Sequence, residues 1–231
     1  MDLPTLLVEP DGPYVRVTMN RPERRNALSL DHLAELQQAF DQIGRSDALG
    51  VVLAANGPVF SAGHDFRDLA GADLITVRAL LRACTDLMLT IQALPQVVIA
   101  RVHALATAAG CQLVASCDLA VAAESAGFAA PGGQAGWFCT TPMVAIGRTM
   151  GRKRALELAL TGDRIDAATA ADWGLVNRAV PDADLDDAVA DLLGRATRGS
   201  PGSKAMGKQA FHTQIGMDLP QAYAYAIEVM A

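Results

Sequence analysis

Residues Val97–Ala122 read VVIARVHALATAAGCQLVASCDLAVA, and the order of elements in this stretch decides the fold. Val97-Val98-Ile99-Ala100-Arg101-Val102 follows Pro95 as a short apolar strand, Ala109 to Ser116 reads as a helix, and Leu119-Ala120-Val121-Ala122 as another strand. The same alternation appears upstream. Val51-Val52-Leu53-Ala54 is a short buried strand, and an amphipathic segment from about Leu74 to Leu94 stops at Pro95. Such alternation predicts an α/β fold.

The chain opens with β structure: Leu6-Leu7-Val8 and Val15-Arg16-Val17-Thr18-Met19 flank the turn-former Asp11-Gly12-Pro13 and read as a hairpin. Ser29 can cap a helix carrying Leu30, Leu33, Leu36, Phe40 and Ile43, which Gly44 can end, and Pro142 can begin another. From Asp163 onward the pattern becomes mainly helical. Asp166 caps Ala167 to Trp173, Leu175 to Val180 reads as one strand, and Ser200-Pro201 starts a further helix. The organisation is thus a core over residues 1–162 and a mainly helical region over 163–231 that suits assembly. Tyr223 to Ala231 still looks helical and lacks a terminal Gly or Asn, which reads as a truncated C-terminus.

The chain has 231 residues, 51% hydrophobic and 19% charged, which is enough to bury a substantial interior and suits a protein that also buries surface between subunits. A net charge of -6 and the lack of a basic stripe argue against a nucleic-acid partner. Cys84, Cys111, Cys117 and Cys139 show no metal-ligand spacing, so they read as buried thiols and no metal is expected. No apolar run suits membrane insertion, and the N-terminus lacks a basic segment followed by an apolar one. These features lead to an expected cytoplasmic protein. No Gly-x-Gly-x-x-Gly turn follows a strand, which sets dinucleotide binding aside.

Four stretches carry a more specific signal: Asn20-Arg21-Pro22 with Asn26-Ala27-Leu28; Phe60-Ser61-Ala62-Gly63-His64-Asp65; Ala106 through Asp118; and Leu160-Thr161-Gly162-Asp163 with Gly174-Leu175-Val176. In this order and spacing the chain resembles the enoyl-CoA hydratase/isomerase (crotonase) family over nearly its whole length. Ala106–Asp118 and Phe138–Pro142 together are similar to the branch called enoyl-CoA hydratase domain-containing protein 3. The resemblance implies a crotonase fold, a spiral of ββα turns with a C-terminal helical trimerisation region. It also implies an acyl-CoA ligand, a coenzyme A thioester serving as substrate with no permanently bound cofactor, and a homotrimer or dimer of trimers.

The residues give this reading a physical basis. Gly63 permits a tight turn that leaves the His64 amide free, and Ala109-Gly110 sits where a loop enters a helix whose first amides lack internal partners. Two amides aimed at one thioester oxygen form an oxyanion hole, and one such donor is typically worth roughly 3 kcal/mol of barrier. Taken singly, Gly63 and Gly110 read as ordinary turn and helix-packing glycines, and co-occurrence with the other motifs reverses that. Around these turns Ala27, Ser61, Ala62, Asp65 and Trp137 are expected to line the substrate site. Arg24 and Arg25 resemble the place where the family contacts CoA phosphates and pantetheine, with a solvated surface pair as the rival reading.

The sequence also departs from the pattern of hydratases, which hold and activate water with two glutamates. Gln112 and Gly132 stand at those positions; an amide cannot take a proton near neutral pH, and glycine offers no side chain. Ordinary hydration is therefore in doubt, and restoring the pair with Gln112→Glu and Gly132→Glu is expected to create it on an intact scaffold. Gly136-Trp137-Phe138-Cys139-Thr140-Thr141-Pro142 replaces a Gly-rich turn and shapes the pocket differently. Among replacement bases, Asp65 reads as a cap for a short helix Phe66 to Leu69, His103 as structural, Cys139 as packed, and Asp118 as a binder of strand-start amides. His64 remains as the candidate suited to neutral pH. The other class of function is a catalytically silent acyl-CoA-binding or assembly protein.

Overall fold

The computed structural model describes residues 3–231. It begins with the hairpin β1 (Leu6–Asp11) and β2 (Tyr14–Met19), followed by helix α1 (Leu30–Ile43). Three ββα units follow: β3 (Gly50–Ala55), β4 (Val59–Ser61) and α2 (Leu74–Ala93); β5 (Val97–Val102), β6 (Leu105–Thr107) and α3 (Ala109–Ser116); β7 (Leu119–Ala123), β8 (Gly127–Ala129) and α4 (Pro142–Thr149). Then come α5 (Arg152–Thr161), β9 (Ile165–Asp166), α6 (Ala167–Asp172), β10 (Arg178–Val180), α7 (Leu185–Ala196), α8 (Pro201–Gln214) and α9 (Leu219–Met230).

The first strand of each unit joins one sheet and the second joins another. The larger sheet has the order β1-β2-β3-β5-β7-β10 and the smaller β4-β6-β8-β9. All pairs are parallel except β1 with β2 and β8 with β9. The chain therefore winds as a spiral, each turn stepping one strand along both sheets. Because β9 and β10 complete these sheets, both sheets draw on residues beyond 162.

The apolar runs read in the sequence are buried on both faces. Val51, Leu53, Val98, Ala100, Ala120 and Ala122 point into the main core, whereas Val52, Ile99, Val121 and Ala123 meet Leu185, Val189 and Leu193 of α7 on the other side. This period-two division explains why parallel strands lack alternating polarity. Asp118, just before β7, accepts from the Val98 amide at 2.7 Å and pairs with Lys208 of α8 at 2.7 Å. Lys208 also donates to the carbonyls of Ile91 and Gln96 at 2.9 Å, so one buried ammonium ties α8 to the ends of α2 and β5. No described helix is long and apolar enough to cross a membrane.

Two local expectations are corrected. Only Arg178–Val180 of the expected Leu175–Val180 strand pairs in a sheet. Gly174 turns at φ 87°, and the amides of Leu175 and Val176 both donate to the Ala170 carbonyl, which bends the chain away from a ladder. Phe66–Leu69 forms successive turns and no regular helix; the turns run up to Gly71 at φ 74°.

His32 of α1 has no exposed surface. Its Nδ1 lies 2.6 Å from Thr5 Oγ1, which donates to Glu35 at 2.7 Å, and its Nε2 has no partner among the described residues. Burial, with help from the Arg21 charge, lowers its pKa from 6.5 to about 4. The unfolded chain takes up this proton near 6.5 and the folded chain only near 4, so stability is fully present above 6.5 and falls as pH drops toward 4. The expected loss is on the order of 3 kcal/mol. Denaturant midpoints measured across this interval should decline in the native chain and decline less in His32→Gln.

Candidate functional site

The spiral brings the ends of β4 and β6 side by side, and with them the turn Ala62-Gly63-His64 and the first turn of α3. Gly63 adopts φ 83°, and a side-chain carbon there would lie 3.0 Å from the Thr107 carbonyl oxygen and 3.2 Å from the Ala109 nitrogen. A second close approach lies beneath: a side-chain carbon on Gly110 would lie 2.5 Å from the Ser61 carbonyl oxygen. Glycine at both places lets the two backbones meet.

The amides of His64 and Ala109 have no hydrogen-bond partner among the described residues. For Ala109 the cause is its place at the start of α3, where no side chain caps the helix. Ala108 before it takes φ 48°, ψ -116°, a conformation costing on the order of 1–3 kcal/mol for a residue with a side chain. The Ala108 amide, donating to the Ala129 carbonyl at 2.9 Å, holds it there. His64 is aligned by its flanks: the Leu28 amide donates to the Gly63 carbonyl at 2.8 Å, and the Asp65 amide to the Leu28 carbonyl at 3.3 Å.

Both residues border a cavity of about 730 Å³. Its walls include Ala62, Thr107 and Ala108 from the two turns, Phe66 and Leu81 on one side, and the segment Pro131–Pro142 on the other. Among its lining residues only His64 and Cys139 can titrate between acid and neutral pH or just above it. Burial pushes the Cys139 thiol up, against a smaller opposing effect of a hydrogen bond with the Gly132 backbone. Burial also lowers the pKa of His64, offset only in part by the Leu28 backbone and the Asp68 carboxylate. At neutral pH both are uncharged. The His64 ring stands 6.2 Å from the Trp137 ring at 41°, with both nitrogens buried beside the Leu28 backbone.

The expected site residues thus divide. Ala62, His64, Ala109, Gly132 and Trp137 line the cavity. Gly63 and Gly110 shape it from behind, and Ser61 is fully buried, donating its hydroxyl to the Asn26 carbonyl at 2.8 Å. Ala27 is buried next to that carbonyl's residue, away from the cavity wall. Arg24 is committed to Asp65, with contacts of 2.9 and 2.6 Å to its two oxygens. Asp65 also accepts from the Arg67 amide at 3.1 Å. Burial alone raises the Asp65 pKa, but the Arg24 hydrogen bond, the Arg67 amide and the charges of Arg24 and Arg21 outweigh it, so it stays ionised below its ordinary range. Arg25 is exposed. His103 bonds to the Gly57 carbonyl at 2.8 Å, as a structural histidine would.

Gln112 and Gly132, the two positions where the resemblance leads one to expect glutamates, are both closely packed. Gln112 is buried in α3, away from the cavity lining, with Oε1 3.9 Å from Cys84 Sγ. At Gly132 a side-chain carbon would collide with the Trp137 carbonyl oxygen and lie 2.8 Å from Cys139 Sγ. The Trp137 amide donates to the Gly132 carbonyl at 2.9 Å, closing the short 3-10 turn Pro131–Ala135 onto the segment after it. Sequence alone reads Gly132 as a position without a side chain but does not show the backbone folded over it. A glutamate at Gly132 therefore requires the Trp137–Cys139 segment to shift before it can reach the cavity. Phe66, Leu81 and Gln134, absent from the sequence-based site, come to the cavity through long-range packing with no local motif.

A family model described as enoyl-CoA hydratase/isomerase matches residues 13–231. The mitochondrial enoyl-CoA hydratase domain-containing protein 3 of Danio rerio is 42% identical over 222 residues, spanning 95% of this chain and 77% of that protein. Its Homo sapiens counterpart is 38% identical over 229 residues, spanning 98% and 75%. The solved structure of an enoyl-CoA hydratase from Mycobacterium smegmatis superposes with a TM-score of 0.95 at 46% identity, covering 98% of this chain and 90% of that one. That of human enoyl-CoA hydratase domain-containing protein 3 gives 0.94 at 37%, with the same coverage. The mitochondrial names of these relatives contradict the expected cytoplasmic location. Charge and hydropathy describe solubility, and carry no address.

The Gly132 contact is testable without a ligand. Gly132→Ala should destabilise the fold by about 1–3 kcal/mol through overpacking against the Trp137 carbonyl, read as a lower thermal midpoint.

Proposed function

Because the chain belongs to the enoyl-CoA hydratase/isomerase family, we propose that it binds an acyl-CoA thioester and polarises the carbonyl with the backbone amides of His64 and Ala109. The observation that carries this is the pair of amides without partners among the described residues, on abutting turns whose residues line one cavity. A thioester oxygen placed between them accepts two hydrogen bonds that strengthen as negative charge develops on it. The α3 start adds its partial positive charge without moving. Coenzyme A enters as part of the substrate, and no permanently bound cofactor is required. Arg25, exposed and without an ion pair among the described residues, is the better candidate for the CoA phosphates, since Arg24 serves Asp65.

The chemistry differs from ordinary hydration. With Gln112 packed against Cys84 and Gly132 pressed on the Trp137 carbonyl, no carboxylate among the described residues lines the cavity to activate water. The same observation supports a second reading, a silent acyl-CoA-binding protein. Turnover of a panel of acyl-CoAs separates the two readings: tight binding with no product of any kind selects the silent one.

The assembly proposed is a homotrimer or dimer of trimers, with 163–231 supplying much of the interface. Supporting it, Phe211, Ile215, Leu219, Tyr223, Ile227 and Met230 of the last two helices and their link are exposed. Sedimentation of the native chain measures this directly.

The oxyanion arrangement predicts a specific failure. Gly63→Val places branched carbons against Thr107 and Ala109 at a backbone angle of φ 83°, so acyl-CoA affinity should fall at least about tenfold by calorimetry. The Gln112→Glu, Gly132→Glu variant should gain no crotonyl-CoA hydration, read as unchanged thioester absorbance.

A further inference from the structure

Resting on the acyl-CoA reading above, we propose that the His64 imidazole is the proton-transfer group of this site. It would remove and return a proton at the carbon next to the thioester carbonyl. The class of substrate is therefore an acyl-CoA with a hydrogen on that carbon, and the class of reaction is enolisation.

Several observations converge on the ring. His64 lines the cavity together with Ala109, and its backbone amide is one of the two donors without a partner among the described residues. Both ring nitrogens are buried, and the Leu28 backbone beside the ring is the group that most favours its protonated form. No other group lining the cavity can do the work: Cys139 is held as a thiol, and the remainder are apolar, hydroxyl or amide side chains. The charged and titratable groups near the ring are Asp68 on the following turn and the Arg24–Asp65 pair beside it, with Cys139 across the cavity. Arg24 and Asp65 neutralise one another, which leaves Asp68 the one uncompensated charge of this set. Burial nevertheless keeps the imidazole neutral, and so able to accept a proton, at pH values below the ordinary 6.5.

The step balances within the site. The C–H bond breaks and an N–H bond forms on the imidazole, while the electron pair moves to the thioester oxygen between the amides of His64 and Ala109. Reversal forms the C–H bond again and restores the neutral ring. If the imidazolium exchanges its proton with solvent before reversal, the acyl group returns with a solvent hydrogen and is otherwise unchanged. No oxidant, metal or added water is consumed.

Butyryl-CoA, which has no double bond to hydrate, is the probe. Incubated with the native protein in deuterated buffer, it should acquire deuterium beside the carbonyl, read by mass. His64→Gln keeps the backbone amide, so the saturating exchange rate should fall about 100-fold or more while the half-saturating concentration changes little. In the native protein the exchange rate should fall by half only below 6.5, the ordinary histidine value. Exchange at the native rate in His64→Gln, or a native half-fall at or above that value, overturns the proposal. Binding of butyryl-CoA by calorimetry without exchange overturns it too and leaves the acyl-CoA reading intact. Failure to bind any acyl-CoA overturns both. If His64→Gln melts too low to assay, the native pH profile still decides.

Discussion

The cavity between the spiral's turns depends on two stretches of backbone approaching more closely than most side chains allow. The turn after β4 and the start of α3 touch through Gly63 and Gly110, each placed where a single carbon would strike a neighbouring carbonyl. That contact brings His64 and Ala109 to one cavity, their amides without partners among the described residues. The spiral supplies the precision, since β4 and β6 are adjacent parallel strands that end at the same level. The strain at Ala108 is localised to the same junction and is held by a bond to β8, the next strand of the small sheet.

Around this junction charge is kept out of the cavity and satisfied behind it. Arg24 and Asp65 neutralise one another beneath the His64 turn, and the cavity wall carries no ionised group. In such surroundings a few amide dipoles act strongly on a developing charge, because neither bulk water nor a mobile counter-ion competes with them. The Lys208–Asp118 pair works on the opposite side of the core. It joins the α8 helix to the strand starts of β5 and β7, and so links the C-terminal region to the same strands that position α3.

Much of this was legible in the sequence because it is local. The helix Ala109–Ser116, the cap at Asp166 and the apolar strands follow from periodicity and capping within a few residues, and Gly63 and Gly110 stand in motifs of characteristic order. What escaped depends on distance along the chain. Arg24 reads as a phosphate ligand until Asp65, far away in sequence, is found holding it. Leu175 and Val176 look like strand residues by composition, yet Gly174 and the Ala170 carbonyl bend them into a turn. Gly132 reads as an empty place, and the structure fills it with the carbonyl of Trp137, a partner no spacing rule announces. The location of the protein is not a property of fold or charge at all.

The packing at Gly132 bears on substitution as well as on chemistry. A position that packs against open space can take a side chain by one substitution. Here the Trp137 carbonyl occupies the space above Gly132, so any side chain at that position first meets a steric penalty and only later any gain. Placing one there requires the Gly132–Trp137 loop to change beforehand, which makes the two events dependent in order. The glycine is thus held in place by packing.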